Sequence, residues 1–242
     1  MLPVYTLDKI KYATDGPTFK KAVGLYEGGK VSKFEETMDG FSADVLGSKP
    51  YSVFVEARHF DRGSCDCYVG QHDTLCKHMV AVAIQAATGG RPLGDEDKRP
   101  MGQPTCSGQR GELNKEQLAA TKKAISAALS YIKPYRGPSR IWFRYQRSLA
   151  EGCNRLSALV GELPVSEQTA LLLIDLLLRF DRKLRVGGVD DSDGTVGGFM
   201  EAVVAVLKEY ARLEPAYARA FHALKNIDTC FGWEESLLEL VK

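Results

Sequence analysis

The strongest constraint in the 242-residue sequence is a set of four soft ligands at paired spacing. Cys65 and Cys67 lie in Ser64-Cys65-Asp66-Cys67-Tyr68, and Cys76 and His78 in Leu75-Cys76-Lys77-His78-Met79. Three thiolates and one imidazole form a set that structural zinc accepts without an open coordination position. A site of that kind organises the chain and does no chemistry. In an extended segment residues i and i+2 point the same way about 6.6 Å apart, and two sulfurs each about 2.3 Å from a tetrahedral zinc lie about 3.8 Å apart. Cys65 and Cys67 can therefore lean together onto one ion. Residues i and i+2 of a regular helix differ by roughly 200° and face apart, so Cys76 is expected just before a helix and His78 in its first turn. The apolar run Met79 to Ala87, stopped by Gly89, Gly90 and Pro92, is that helix. One structural Zn2+ on Cys65, Cys67, Cys76 and His78 is the expected cofactor. His72 belongs to no pair and reads as a solvated loop residue, and His59 as a strand side chain.

The pattern C-x-C-x8-C-x-H, followed by a helix of small residues and preceded by Val45-Leu46-Gly47-Ser48 and the strand-like Tyr51-Ser52-Val53-Phe54-Val55, resembles the SWIM zinc finger. The resemblance covers about Phe41 to Ala87. Such fingers accompany Swi/Snf-type ATPases, Mutator-like transposases and proteins of recombination and ubiquitin ligation. It implies a zinc-binding module used for contacts with DNA or with other proteins, and no one reaction, since the family shares a fold rather than an activity.

The rest of the chain divides by pattern. Asp15-Gly16-Pro17 opens a helix, with Asp as cap, through Phe19, Ala22, Val23 and Tyr26 to Gly28-Gly29. Extended runs from Lys30 to Thr37, Phe41 to Leu46 and Tyr51 to His59 are separated by the turn signals Met38-Asp39-Gly40 and Gly47-Ser48-Lys49-Pro50, which predicts an antiparallel meander. A meander of this size has a thin core, so metal cross-linking would add what apolar burial lacks. Residues 89–111 are rich in Gly, Pro and charge and read as a linker. Beyond it the period becomes 3.6. Leu118, Ile125, Leu129 and Ile132 make one face, and Trp142, Tyr145, Leu149, Cys153, Leu156 and Val160 a second helix entered at Pro138-Ser139 with Ser as cap. Ser166-Glu167 opens a third helix, apolar nearly all round and hence expected to be central; Val203, Val206, Leu207, Tyr210 and Leu213 mark a fourth. The expected class is α+β. A small antiparallel sheet with a zinc knuckle and helix fills residues 1–88, a linker 89–111, and a helical bundle or HEAT-like domain 112–242.

Net charge of +1 conceals an uneven distribution. Between Arg110 and Arg147 nine basic residues face two acidic ones, interleaved with Tyr131, Tyr135, Trp142, Phe143 and Tyr145. Lys122, Lys123, Arg136, Arg140 and Arg144 are therefore candidate nucleic-acid contacts, since cations meet phosphates and aromatic rings stack on bases. The competing reading makes the rings core and the charges a solvated face. The acids of Val189 to Thr195 suggest a calcium loop only by composition, because the alternating ligands, central Gly and distal Glu of an EF-hand are out of register. Turn and cap use of Asp193 or Thr195 is the alternative. Asp175 either lies on the one polar stripe of its helix or is buried against Arg144 or Arg147.

These features exclude more than they select. The start Met1-Leu2-Pro3-Val4-Tyr5 has neither the basic nor the apolar part of a signal peptide, and no run approaches the ~20 apolar residues of a membrane span. Isolated Cys106, Cys153 and Cys230 beside a thiolate site fit a reducing compartment, so a cytoplasmic location is expected. No phosphate-cradling glycine motif is present, the remaining cysteines lack a suitably spaced histidine, and His222 sits in a plain helical run; no catalytic residues and no small-molecule substrate are expected. Two functions remain, a non-enzymatic protein-protein adaptor in a larger complex and a nucleic-acid-binding accessory factor using residues 110–147. Near-neutral charge favours the first.

Overall fold

The computed structural model describes residues 3–241, apart from the side chain of Arg140. The chain divides into two compact units, Met1–Met101 and Gly102–Lys242.

The first unit begins with a short helix, α1 (Leu7–Tyr12), in which Thr6 Oγ1 accepts the Lys9 amide at 3.2 Å. Asp15 caps α2 (Gly16–Glu27) as its Asp-Gly-Pro start predicts, accepting the Thr18 amide at 2.9 Å. Then come β1 (Val31–Glu36), β2 (Gly40–Leu46) and β3 (Pro50–Glu56), the expected meander, and a two-residue strand β4 (Ser64–Cys65) that the pattern does not show. The order is β1-β2-β3-β4 with antiparallel pairs, in register at Phe41↔Val55, Val45↔Tyr51 and Val53↔Cys65. Alternation along β2 sends Phe41, Ala43 and Val45 inward. There they meet α3 (Lys77–Thr88), whose Val80 and Ile84 are fully buried, together with Phe19 of α2. His59 lies beyond the end of β3, at the entrance to a 3₁₀ turn, rather than within a strand.

The stretch expected to be a linker is shared between the units, and the boundary falls inside it at Met101. Leu93 is buried in the first core, Tyr26 Oη donates to the Arg91 carbonyl at 2.6 Å, and Lys98, on the one-turn α4 (Asp95–Lys98), pairs with Glu27 at 2.7 Å. On the other side Ser107 Oγ donates to the Leu163 carbonyl and the Val165 amide to the Gln109 carbonyl, both at 2.6 Å. Gly, Pro and charge show that a segment cannot build a core; they do not prevent it from lying against one built by others.

The second unit is helical: α5 (Lys115–Leu129), α6 (Trp142–Glu162), α7 (Glu167–Arg185), α8 (Thr195–Leu213), a 3₁₀ segment Pro215–Leu224 and α9 (Glu235–Leu238). A reciprocal box closes the start of α5, with Asn114 Oδ1 taking the Gln117 amide and Gln117 Oε1 the Asn114 amide, each at 2.9 Å. Ser166 caps α7 as predicted. Ser139 does not cap α6, because a 3₁₀ turn over Ser139–Ile141 intervenes and the helix starts without a side-chain cap. The core gathers Leu149, Leu156, Leu173, Phe180, Phe199, Tyr210 and Phe221. Helix α7 is not apolar-faced all round, since Leu171 is 44% exposed and Asp175 points outward toward Arg179 at 3.9 Å, not to Arg144 or Arg147. Asp175 thus marks the polar stripe. No helix among the described residues is long and apolar enough to cross a membrane.

Candidate metal centre

The four candidate ligands come from two elements that the sheet brings together. Pairing of β3 with β4 holds Cys65 opposite Val53; the chain then leaves the sheet through Cys67, makes a 3₁₀ turn at Gly70–His72 and returns at Cys76. Cys76 is the residue before α3, extended at φ −113°, ψ 161°, and His78 sits in the first turn of the helix, as the spacing required. All four side chains are buried, and their ligand atoms lie within 4.8 Å of one another. His78 turns Nδ1 toward the thiols, 3.7 Å from Cys65 Sγ and 3.9 Å from Cys76 Sγ. Sulfur and nitrogen bound to one tetrahedral zinc stand about 3.6 Å apart, so the cage needs only a small contraction to hold that ion.

The surroundings suit an anionic cage. The Cys67 amide faces Cys65 Sγ at 3.5 Å and the Gly70 amide faces Cys67 Sγ at 3.3 Å, so backbone donors already point at two of the sulfurs. Three thiolates around a dication leave one net negative charge, which the positive N-terminal end of α3 offsets. A hydrogen bond between the Cys65 and Cys76 sulfurs draws the Cys76 thiol down and pushes that of Cys65 up, with the His78 ring adding to the lowering at Cys76.

Two glycines and one tyrosine complete the cage. A Cβ on Gly70 would stand 2.4 Å from the Cys65 carbonyl oxygen, so only glycine lets the turn fold back on the first cysteine. A Cβ on Gly47 would stand 2.9 Å from His78 Nε2, and the Tyr51 ring stacks on the imidazole at 4.5 Å and 27°. Gly70 had a faint signal, a glycine three residues beyond the second cysteine. Gly47 read as a turn residue and as part of the run preceding the finger pattern, not as a neighbour of His78, because that nearness exists only once the β2–β3 turn meets α3. His72 is outside the cage, exposed, with Nδ1 2.7 Å from the Tyr68 carbonyl.

Residues 51–87 match the family model of the SWIM zinc finger. That stretch is a SWIM finger, a binding module rather than a catalytic domain, and its Cys₃His cluster supports one structural Zn2+. No curated protein and no solved structure matches the chain. The matched region contains all four candidate ligands and the Tyr51 ring; Gly47 lies outside it.

Outside the SWIM finger the basic segment is dispersed. Lys122 and Lys123 are exposed on α5, Arg136 on the connection that follows, and Arg144 in the first turn of α6, while the Arg140 side chain lies outside the described residues. Its aromatic rings are mostly committed to the fold. Trp142 Nε1 donates to Asp190 at 3.1 Å, Tyr145 Oη donates to the Lys133 carbonyl at 2.8 Å, and the Tyr135 and Tyr145 rings lie 4.8 Å apart. Phe143, 64% exposed, is the exception. The Val189–Thr195 acids act as local caps: both Asp191 oxygens accept the Val196 and Gly197 amides at 2.7 and 2.8 Å, and Asp193 accepts from Thr195. Among the described residues, the convergent ligand group is the cysteine-histidine set of the finger.

Proposed function

We propose that Cys65, Cys67, Cys76 and His78 hold one zinc ion in a closed, structural site, and that the protein is a cytoplasmic, non-enzymatic adaptor in which the finger and the helical unit each present a surface to a protein partner. The observation that carries this reading is the burial of four ligands in one cage: four protein donors satisfy tetrahedral zinc and leave no position for water or substrate. The loop between the ligand pairs turns Tyr68 and Val69 outward, 78% and 42% exposed, which supports a contact surface at its tip. Metal analysis of chain purified without chelator is expected to find one equivalent of zinc, and Cys76→Ser to lose it. Well under one equivalent in the unaltered chain refutes the site.

A second reading, nucleic-acid binding through Lys122, Lys123, Arg136 and Arg144, draws support from exposed Phe143 beside Arg144. Asp190, bonded to Trp142 and Tyr145, opposes it together with the neighbouring Asp191 and Asp193 by placing negative charge beside the aromatic cluster. Titration of the chain with single- and double-stranded DNA and RNA at low salt separates the two. The adaptor reading expects no measurable affinity. Binding that falls steeply with salt and is lost on reversing these four cations to Glu establishes the other.

A further inference from the structure

The matched finger begins at Tyr51, yet one of the two groups that close the cage, Gly47, lies before it. His78 is 4% exposed, and its Nε2 is buried with no hydrogen-bond partner among the described residues, while Nδ1 faces two sulfurs. Two groups fix that orientation. Tyr51 covers one face of the ring, and its own hydroxyl is held by Ser48 Oγ at 2.8 Å. The bare Cα of Gly47 leaves the space that Nε2 fills. Gly47 is not among the glycines of positive φ, so its backbone accepts any L-residue and the demand at this position is for room.

We propose that the β2–β3 turn is part of the metal centre: Gly47 and Tyr51 are positioning residues that clamp the His78 imidazole so that Nδ1, not Nε2, meets the metal. This rests on the reading of the four residues as zinc ligands. A methyl group at position 47 would stand 2.9 Å from His78 Nε2 and 3.0 Å from the Tyr51 ring, so it displaces the imidazole directly, whereas a cysteine at position 78 has no distal atom to collide with it and leaves only the milder tyrosine contact. The direct collision between the two positions therefore exists only when residue 78 is histidine.

A double-mutant cycle on the full-length chain, read as Zn2+ affinity by chelator competition, tests this. Gly47→Ala is expected to weaken zinc binding about 10–100-fold, the range for losing a group that orients a ligand, and to alter the ligand-field bands of the Co2+-loaded chain. In a His78→Cys background, whose four-cysteine site zinc also accepts, the same alanine is expected to change affinity less than about 3-fold. Equal losses in both backgrounds, or none in either, overturn the proposal, since a glycine needed only by the turn would act without regard to residue 78. The unaltered chain supplies a measurement that needs no variant. Long-range ¹H–¹⁵N correlations of the zinc-loaded protein are expected to show the His78 proton on Nε2, and metallation at Nε2 overturns the proposal. Absence of zinc from the unaltered chain is a different result, one that defeats the ligand reading itself.

Discussion

Stripping the metal should release the knuckle and spare the sheet-helix core. Ten residues separate Cys65 from Cys76. Fixing their backbone costs about 1–2 kcal/mol each, roughly 10–20 kcal/mol together. Inside the loop little opposes that cost. Leu75 is its one buried aliphatic side chain, contributing about 1.5–3 kcal/mol. Three backbone hydrogen bonds, from Gln71 to Cys67, His72 to Val69 and Asp73 to Gly70, add about 1 kcal/mol apiece. The remainder, roughly 5–15 kcal/mol, is of the size that structural zinc supplies to finger peptides, about 10–16 kcal/mol near neutral pH. The core beneath has its own support in fully buried Phe19, Val45, Val55, Val80 and Ile84 and in the paired β2 and β3. Amide hydrogen exchange with and without chelator, under reducing conditions, is the assay. Protection should vanish from 66–76 while the amides of β2, β3 and α2 stay slow. Collapse of all these amides in one step would mean that the metal holds the whole unit together, and a knuckle still protected without metal would mean that the loop supports itself. Either result refutes the reasoning.

Two further outcomes follow from the helical unit. Gly152 of α6 packs so closely that a Cβ would lie 2.6 Å from Ile132 Cδ1 and 3.1 Å from the Ala128 carbonyl. Overpacking there costs about 1–3 kcal/mol against about 1 kcal/mol of helix propensity gained, so Gly152→Ala should lower Tm in thermal melts, and adding Ile132→Val should reduce the penalty of the alanine, the Ala128 carbonyl contact remaining. Burial raises the Asp191 carboxyl above its ordinary range, although it accepts the Val196 and Gly197 amides. A carboxyl raised in the folded state gives its full contribution below the unfolded value near 4 and loses it as pH rises through the folded value. Urea midpoints should therefore show less loss as pH rises above about 4 in Asp191→Asn than in the unaltered chain, and parallel curves would contradict this.

Local chemistry settled what could be read from neighbours in the chain. The paired spacing of Cys65, Cys67, Cys76 and His78 announced a metal site, and the i, i+2 geometry required α3 to begin between Cys76 and His78, because ligands so close in sequence have few ways to share an ion. Asp15 and Ser166 were legible as caps for the same reason, each acting on an amide three residues away. Where a choice depended on distant partners, the sequence had no means to express it. Ser139 looked like a cap until a 3₁₀ turn took its place, α7 looked apolar nearly all round until Leu171 came to lie 44% exposed, and residues 89–111 looked free until Leu93 found the first core and Ser107 the second unit. Gly47 is the sharpest case. It is 31 positions before His78, and only the packing of α3 against the sheet turns the missing side chain of a turn residue into the space that an imidazole needs.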